Sequence, residues 1–257
     1  MAEQSESATR GKQGLSILRY YTQEGITPFD MFTYEKRTSA IKNPDGSTVF
    51  AMQDVEVPHF WSQVATDILA QKYFRKAGVP LKNEQGELLL DENGKVITGR
   101  ETSIKQVAHR IAGCWRSWGE KEGYFSSAQD AQIFYEEMAY MIIGQYAAPN
   151  SPQWFTTGLN FAYGLTGPAQ GHSYVNPLTK QLEYSQDAYT RSVPHACFIQ
   201  SVDDDLVTEG GIFSLLTREA RIFKYGSGTG SNFSKLRAKG ERLSGGGTSS
   251  GLMSFLK

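Results

Sequence analysis

The sequence predicts a mixed α/β protein whose N-terminal part is mainly helical. Three observations predict this. Residues 59–76, 104–118 and 127–146 carry apolar side chains at helical spacing. Turn signals such as Asn43-Pro44-Asp45-Gly46 and Asp91-Glu92-Asn93-Gly94 sit beside short strand-like runs. From Asn150 onward the chain becomes glycine-rich and polar, with a short apolar run at 196–202 and a further helical pattern at 209–225. We therefore expect a tail over residues 1–14, a helical region with a hairpin insertion over 15–149, and a second region over 150–257.

Composition sets the outer bounds. With 257 residues, 39% of them hydrophobic, the chain can bury one large core or two small ones. A net charge of −1 gives no general attraction to nucleic acid or to anionic membranes. Two cysteines, Cys114 and Cys197, make no secreted disulfide framework. No apolar run has membrane-spanning length, and the polar start has no signal-peptide core, so we expect a soluble cytoplasmic protein with a disordered tail.

In chain order, residues 15–52 read as an irregular lead-in, with a strand over Ser47–Met52 after the Asn-Pro-Asp-Gly turn. His59–Lys76 reads as a helix, from the recurrence of Phe60, Trp61, Val64, Ala65, Ile68, Leu69 and Tyr73. Glu87–Leu90 and Lys95–Thr98 flank Asn93-Gly94 and predict a surface β-hairpin. Ile104–Trp118 reads as a helix capped by Thr102 or Ser103, and Cys114 within it as a structural buried thiol. Ser127–Tyr146 is the third helix. Asn150–Phe155 breaks the pattern, because Pro152 disfavours the helical region for Ser151. Ser173–Val175 and Gln181–Tyr184 predict a second hairpin. Ala196–Val202 predicts a strand, Glu209–Tyr225 a helix, and Phe233–Leu236 a further strand.

The chemistry concentrates between Ser192 and Gly251. If 196–202 is a strand, His195 and Cys197 face one side, and a nearby imidazolium could lower the thiol pKa. Downstream lie two glycine-rich loops, with Lys235, Arg237, Lys239 and Arg242 between them; such loops let backbone N–H groups approach an anion. Neither common phosphate motif fits. Gly226-Ser227-Gly228-Thr229-Gly230 follows a helix rather than a strand, and no Gly-Lys-Ser/Thr follows. The four histidines lack metal-ligand spacing, so no metal site is expected from this chain alone.

Asn150-Ser151-Pro152-Gln153-Trp154-Phe155, Ala196-Cys197-Phe198-Ile199 and Tyr225-Gly226-Ser227-Gly228-Thr229-Gly230-Ser231-Asn232 together resemble ribonucleotide reductase, most of all the adenosylcobalamin-dependent (class II) large chain. Val55-Glu56-Val57-Pro58 running into Trp61-Ser62-Gln63 resembles that family's N-terminal region. The resemblance implies that the second region begins an incomplete ten-stranded α/β barrel. It implies that Cys197 is one of two thiols that reduce a ribonucleotide, with Ser151, Ala196, Ser227 and Gly228 contacting the substrate. Asp204 and Arg237 match positions that bind a deoxynucleotide effector at a dimer interface, and Lys235–Gly247 matches the first specificity loop. The implied cofactor is adenosylcobalamin.

The sequence also departs from the family. It has no Asn-x-Cys-x-Glu loop for the radical cysteine, no second reducing cysteine and no C-terminal cysteine pair. The expected partners are therefore the C-terminal remainder of the reductase, as a second chain or missing segment, and a second copy in a homodimer when complete. The isolated chain is expected to be inactive. Two alternatives stay open: a non-catalytic nucleotide-binding regulatory or interaction module, and part of an iron-dependent class I large chain.

Overall fold

The structure is a computed structural model that describes residues 14–254, apart from 84 and 170, together with residue 256. The tail expected over 1–14 thus lies, but for Gly14, outside the described residues. Contacts divide the chain into two compact units. One holds the residues up to Pro149 with Thr157–Thr166; the other holds Asn150–Thr156 with the residues from Gly167 onward.

The first unit opens with an antiparallel hairpin of β1 (Tyr34–Lys42) and β2 (Thr48–Pro58), in which Tyr34 faces Pro58 and Ala40 faces Ala51. The turn is closed by Gly46 N–H donating to Asn43 O (2.9 Å), and Asp45 Oδ1 accepts from Ser47 N (2.9 Å). This corrects the expectation of an irregular lead-in and of a strand ending at Met52. Six of the eight β1 positions after its aromatic start are charged or hydroxyl-bearing and mostly solvent-facing, so backbone pairing, not side-chain alternation, defines the strand. On β2, Val55 and Val57 are fully buried and anchor the hairpin to the core.

The helix expected at His59–Lys76 is shorter. Strand β2 continues to Pro58, and Ser62 caps α1 (Gln63–Ile68) by accepting from Ala65 N (3.1 Å). A π-helical turn, Leu69–Tyr73, follows, and Phe74 is already extended. The reversal at Asp91–Lys95 forms as expected (Asp91 N to Lys95 O, 2.8 Å), but a matching one precedes it at Asn83–Glu87 (2.9 Å), between β3 (Val79–Pro80) and β4 (Thr98–Gly99). In each, the side chain of Asn83 or Asp91 accepts from two backbone amides.

Helices α2 (Ile104–Lys121) and α3 (Ala128–Ile143) stand where their periodicity places them. Ser103 and Gln106 form a capping box on α2, and Ser127 caps α3. Ile104, Val107, Ala108 and Ile111 are fully buried, as is the ion pair of Arg110 Nε with Glu101 Oε1 (2.7 Å). Glu101 also accepts from Tyr163 Oη (2.8 Å) and Arg75 N (2.7 Å), and Arg110 donates to Thr157 O (2.9 Å). Glu137 of α3 holds the segment before the hairpin, accepting from the Thr22 hydroxyl and from the amides of Tyr20, Tyr21 and Thr22. The short α5 (Leu159–Tyr163) completes this unit, which is helical only after its opening hairpin.

In the second unit, Asn150–Phe155 is not a break: it starts α4 (Ser151–Thr156), with Pro152 in the first turn, where its missing N–H costs nothing. Strands β5 (Ser173–Val175) and β6 (Leu182–Tyr184) pair antiparallel, close to the expected hairpin. Strand β7 (Cys197–Ser201), helix α6 (Ile212–Lys224) and strand β8 (Gly228–Asn232) form a β-α-β unit with the strands parallel. The glycine run read as a loop is thus itself the strand, and the strand expected at Phe233–Leu236 is a turn closed by Leu236 N to Phe233 O (3.0 Å). Among the described residues every sheet is two-stranded and no barrel closes.

Candidate active site

Parallel pairing sets Cys197 opposite Gly228, Phe198 opposite Thr229, and Ile199 opposite Gly230. Gly228 N donates to Ala196 O (2.6 Å), and the buried Ser227 hydroxyl donates to His195 O (2.6 Å), so the two strands are locked at the thiol end. Side chains alternate: Cys197, Ile199 and Ser201 are exposed, while Phe198 and Gln200 are half-buried. On the exposed face, a Cβ on Gly228 would lie 3.8 Å from Cys197 Sγ and 3.6 Å from Ala196 O. The thiol therefore stands beside a shelf of backbone that carries no side chain.

The opposite face is gripped by α6. Glu219 Oε1 accepts from Thr229 Oγ1 (3.1 Å) and Ser231 Oγ (2.6 Å), while Arg218 donates to Gln200 Oε1 and Ser201 O (3.1 Å each). Sequence reasoning missed Glu219. Its signal was an acidic residue one turn before the end of an amphipathic helix, followed by hydroxyl residues alternating with glycines.

Ser151 begins α4, and its neighbour Asn150 donates to Pro194 O (2.9 Å), which ties that helix start to the segment that leads through Ala196 into β7 at Cys197. His195 does not share the thiol's side: its ring meets Phe198 edge-on at 6.1 Å, because His195 precedes the strand and is not bound by its alternation. Cys114 is buried in α2, and burial pushes its thiol up to about 11. Cys197 is exposed.

Asp204 and Arg237 meet directly. Arg237 Nε donates to Asp204 Oδ2 (2.6 Å) and its backbone N to Oδ1 (3.3 Å), which holds the Asp204 carboxyl below its usual range. Beside them Lys235 pairs with Asp203 (2.7 Å). Asp204 and Arg237 line a cavity of about 560 Å³, walled by Leu206 and by the second glycine loop, where Leu243 N donates to Gly247 O (2.8 Å). Asp205, also on the cavity, is held low by the Thr208 amide. Among the described residues no cluster of three His, Cys, Asp or Glu could hold a metal, and no helix is long and apolar enough to cross a membrane.

Two family models match the chain: class II vitamin B12-dependent ribonucleotide reductase over residues 35–145, and the ribonucleotide reductase barrel domain over 195–257. The vitamin B12-dependent ribonucleotide reductase of Bradyrhizobium diazoefficiens is 55% identical over 261 residues, covering 95% of this chain and 21% of that protein. That of Agrobacterium fabrum is 55% identical over 259 residues, 95% of this chain and 20% of the relative. That of Streptomyces clavuligerus is 36% identical over 251 residues, 97% and 21%. The chain spans about a fifth of the length of these curated relatives. With the N-terminal and barrel-domain matches following one another in order along one chain, the protein belongs to the class II, vitamin B12-dependent ribonucleotide reductase family.

Proposed function

We propose that this chain supplies one reducing thiol, substrate contacts and an effector site to a ribonucleotide reductase that converts ribonucleotides to deoxyribonucleotides. The observation that carries the reading is the pairing of the exposed Cys197 with Gly228, a residue with no side chain to cover the thiol. In the reaction, the ribose 2′-OH leaves as water and C2′ gains a hydrogen, while two thiols give up two protons and two electrons to become a disulfide. Cys197 is the first of those thiols. Cys114 is not the second, since it is buried inside α2 and burial holds its thiol protonated. The second thiol and the radical cysteine therefore belong to the rest of the enzyme, and the chain alone makes no deoxynucleotide.

Adenosylcobalamin supplies the radical-initiating chemistry when bound. Its corrin carries the cobalt, so the lack of a three-ligand cluster among the described residues is compatible with it, and no residue of this chain is assigned to hold it. Within this chain, Ser151, Ala196, Ser227 and Gly228 orient the substrate at Cys197. Asp204 and Arg237 bind the deoxynucleotide effector, in a homodimer of the complete enzyme. The support for the effector site is the cavity these two residues share with the glycine loop. The second region is read as the opening of a ten-stranded barrel, starting with β7-α6-β8.

The test is turnover of a full-length reductase containing this segment, with dithiothreitol as reductant. Cys197→Ser is expected to abolish multiple turnovers, Cys114→Ser to keep them, and Arg237→Ala to lose effector-dependent choice of base more than basal rate. Sustained turnover by Cys197→Ser refutes the thiol assignment; unchanged base choice in Arg237→Ala removes the effector site.

A further inference from the structure

A second cavity in the same unit, of about 410 Å³, is lined by Phe198 and not by Cys197. We infer that it binds a small organic phosphate with a planar body, at a site separate from both the thiol shelf and the Asp204–Arg237 cavity. This goes beyond the reductase reading and does not rest on it.

Charge is the first argument. Arg191 and Arg221 both line the cavity, and no Asp or Glu does. Neither arginine forms an ion pair among the described residues. Glu183 senses the Arg191 charge, but its carboxylate is already engaged by Tyr174 Oη (2.9 Å), Asn176 Nδ2 (2.8 Å) and Thr179 Oγ1 (3.1 Å). Two guanidinium groups lining one cavity give it a net positive charge that an anion would offset.

Geometry is the second argument. The Arg191 guanidinium lies over the Tyr174 ring, 3.8 Å from its centroid. Stacking covers one face of the guanidinium, and the Tyr174 hydroxyl takes up part of its N–H edge, which leaves the remaining N–H groups for an acceptor. Arg221 sits in the last turn of α6, where the helix carbonyls favour a cation. Its guanidinium rests against Gly171: a Cβ there would fall 3.1 Å from Arg221 Cζ, and the positive φ of +84° also calls for glycine. Both arginines are thus positioned by a ring and by backbone. That arrangement fits phosphate, whose oxygens take paired N–H donors.

The remaining wall suits a flat, apolar body. The Tyr225 ring lies 5.7 Å from that of His172, and its hydroxyl is fixed on Ala169 O (2.7 Å). His172 in turn bonds Arg191 O. Phe198 and His195 give a second ring pair. The volume lies within the usual range for small-ligand sites, roughly 300–1,000 Å³.

The experiment is calorimetric titration of this chain with adenosine 5′-monophosphate, ribose 5-phosphate and inorganic pyrophosphate. Adenosine monophosphate is expected to bind tightest. Arg191→Gln and Arg221→Gln should each weaken it at least ten-fold, while Lys36→Gln, on an exposed strand position of the other unit, leaves it unchanged. Unchanged binding in both arginine variants overturns the assignment. Equal binding of ribose 5-phosphate removes the planar-body part. Phenylglyoxal labelling of the unmutated chain, read by mass spectrometry, decides independently of variant folding: protection of Arg191 and Arg221 by adenosine monophosphate supports the site, and unprotected labelling of both refutes it.

Discussion

Two glycines two residues apart should answer the same substitution in opposite ways. At Gly228 the backbone φ is not positive, and an added Cβ meets only ordinary contacts, 3.6 Å to Ala196 O and 3.8 Å to Cys197 Sγ. Gly228→Ala should therefore be neutral or stabilise by about 0.4–1 kcal/mol, because the unfolded chain loses freedom. At Gly226 φ is +84°, and the Cβ would fall 2.7 Å from Phe155 Cδ2. The left-handed backbone alone costs roughly 1–2 kcal/mol with a side chain, and the displaced ring adds to it. Urea unfolding of the two variants reads this difference. The same Gly228 methyl touches the thiol, so iodoacetamide should alkylate Cys197 several-fold more slowly in that variant without loss of stability. If Gly228→Ala unfolds more readily than Gly226→Ala, or Cys197 reacts at its original rate, β8 is not beside the thiol in the register described.

The other perturbations test the supports of each unit. Iodoacetamide should label Cys197 before Cys114 in the folded chain, and Cys114→Ala should cost about 1 kcal/mol in a urea melt; earlier labelling of Cys114 contradicts its burial. Arg110→Met leaves Glu101 buried without its cation and should cost about 3–5 kcal/mol, part of which the added change Glu101→Leu restores; no recovery in the double variant would show that the pair is not a unit. Burial alone would raise the Glu137 carboxyl above its ordinary value of 4.5, but the Thr22 hydroxyl and the amides of Tyr21, Thr22 and Tyr20 hold it below. Its folded pKa is the lower one, so its contribution is complete above that ordinary value and is lost as pH falls through the folded value. Urea midpoints taken between about pH 6 and pH 3 should fall less for Glu137→Gln than for the unchanged chain, and parallel curves refute the role.

The sequence displayed what is encoded locally and concealed what is encoded between segments. Helices α2 and α3 were legible because Ser103 and Ser127 cap them and their apolar faces repeat within a few turns. Strand β1 was not, since its polar side chains show no alternation and only pairing with β2 makes it a strand. Cys197 stood out as a thiol on a short apolar run, and the carried-over positions of Asp204 and Arg237 do meet in the fold. The partnership of Cys197 with Gly228 could not be read from either residue, because it depends on how the thirty residues between them fold, α6 included.

Strand β8 shows why this gap falls at the candidate site. Strand signals are carried by side chains, and Gly228 and Gly230 have none. What keeps the run extended is non-local: five pairs with β7 on its edge, and Glu219 holding Thr229 and Ser231 from below. Larger residues at 228 and 230 would have made the strand easy to recognise, but they would have filled the shelf beside the thiol. A Cβ on Gly230 already lies 3.1 Å from Ile199 Cδ1, and one on Gly228 comes into contact with Cys197 Sγ. The absence of side chains that hides the strand is therefore the same absence that leaves the thiol uncovered, with the burden of holding the backbone passed to α6.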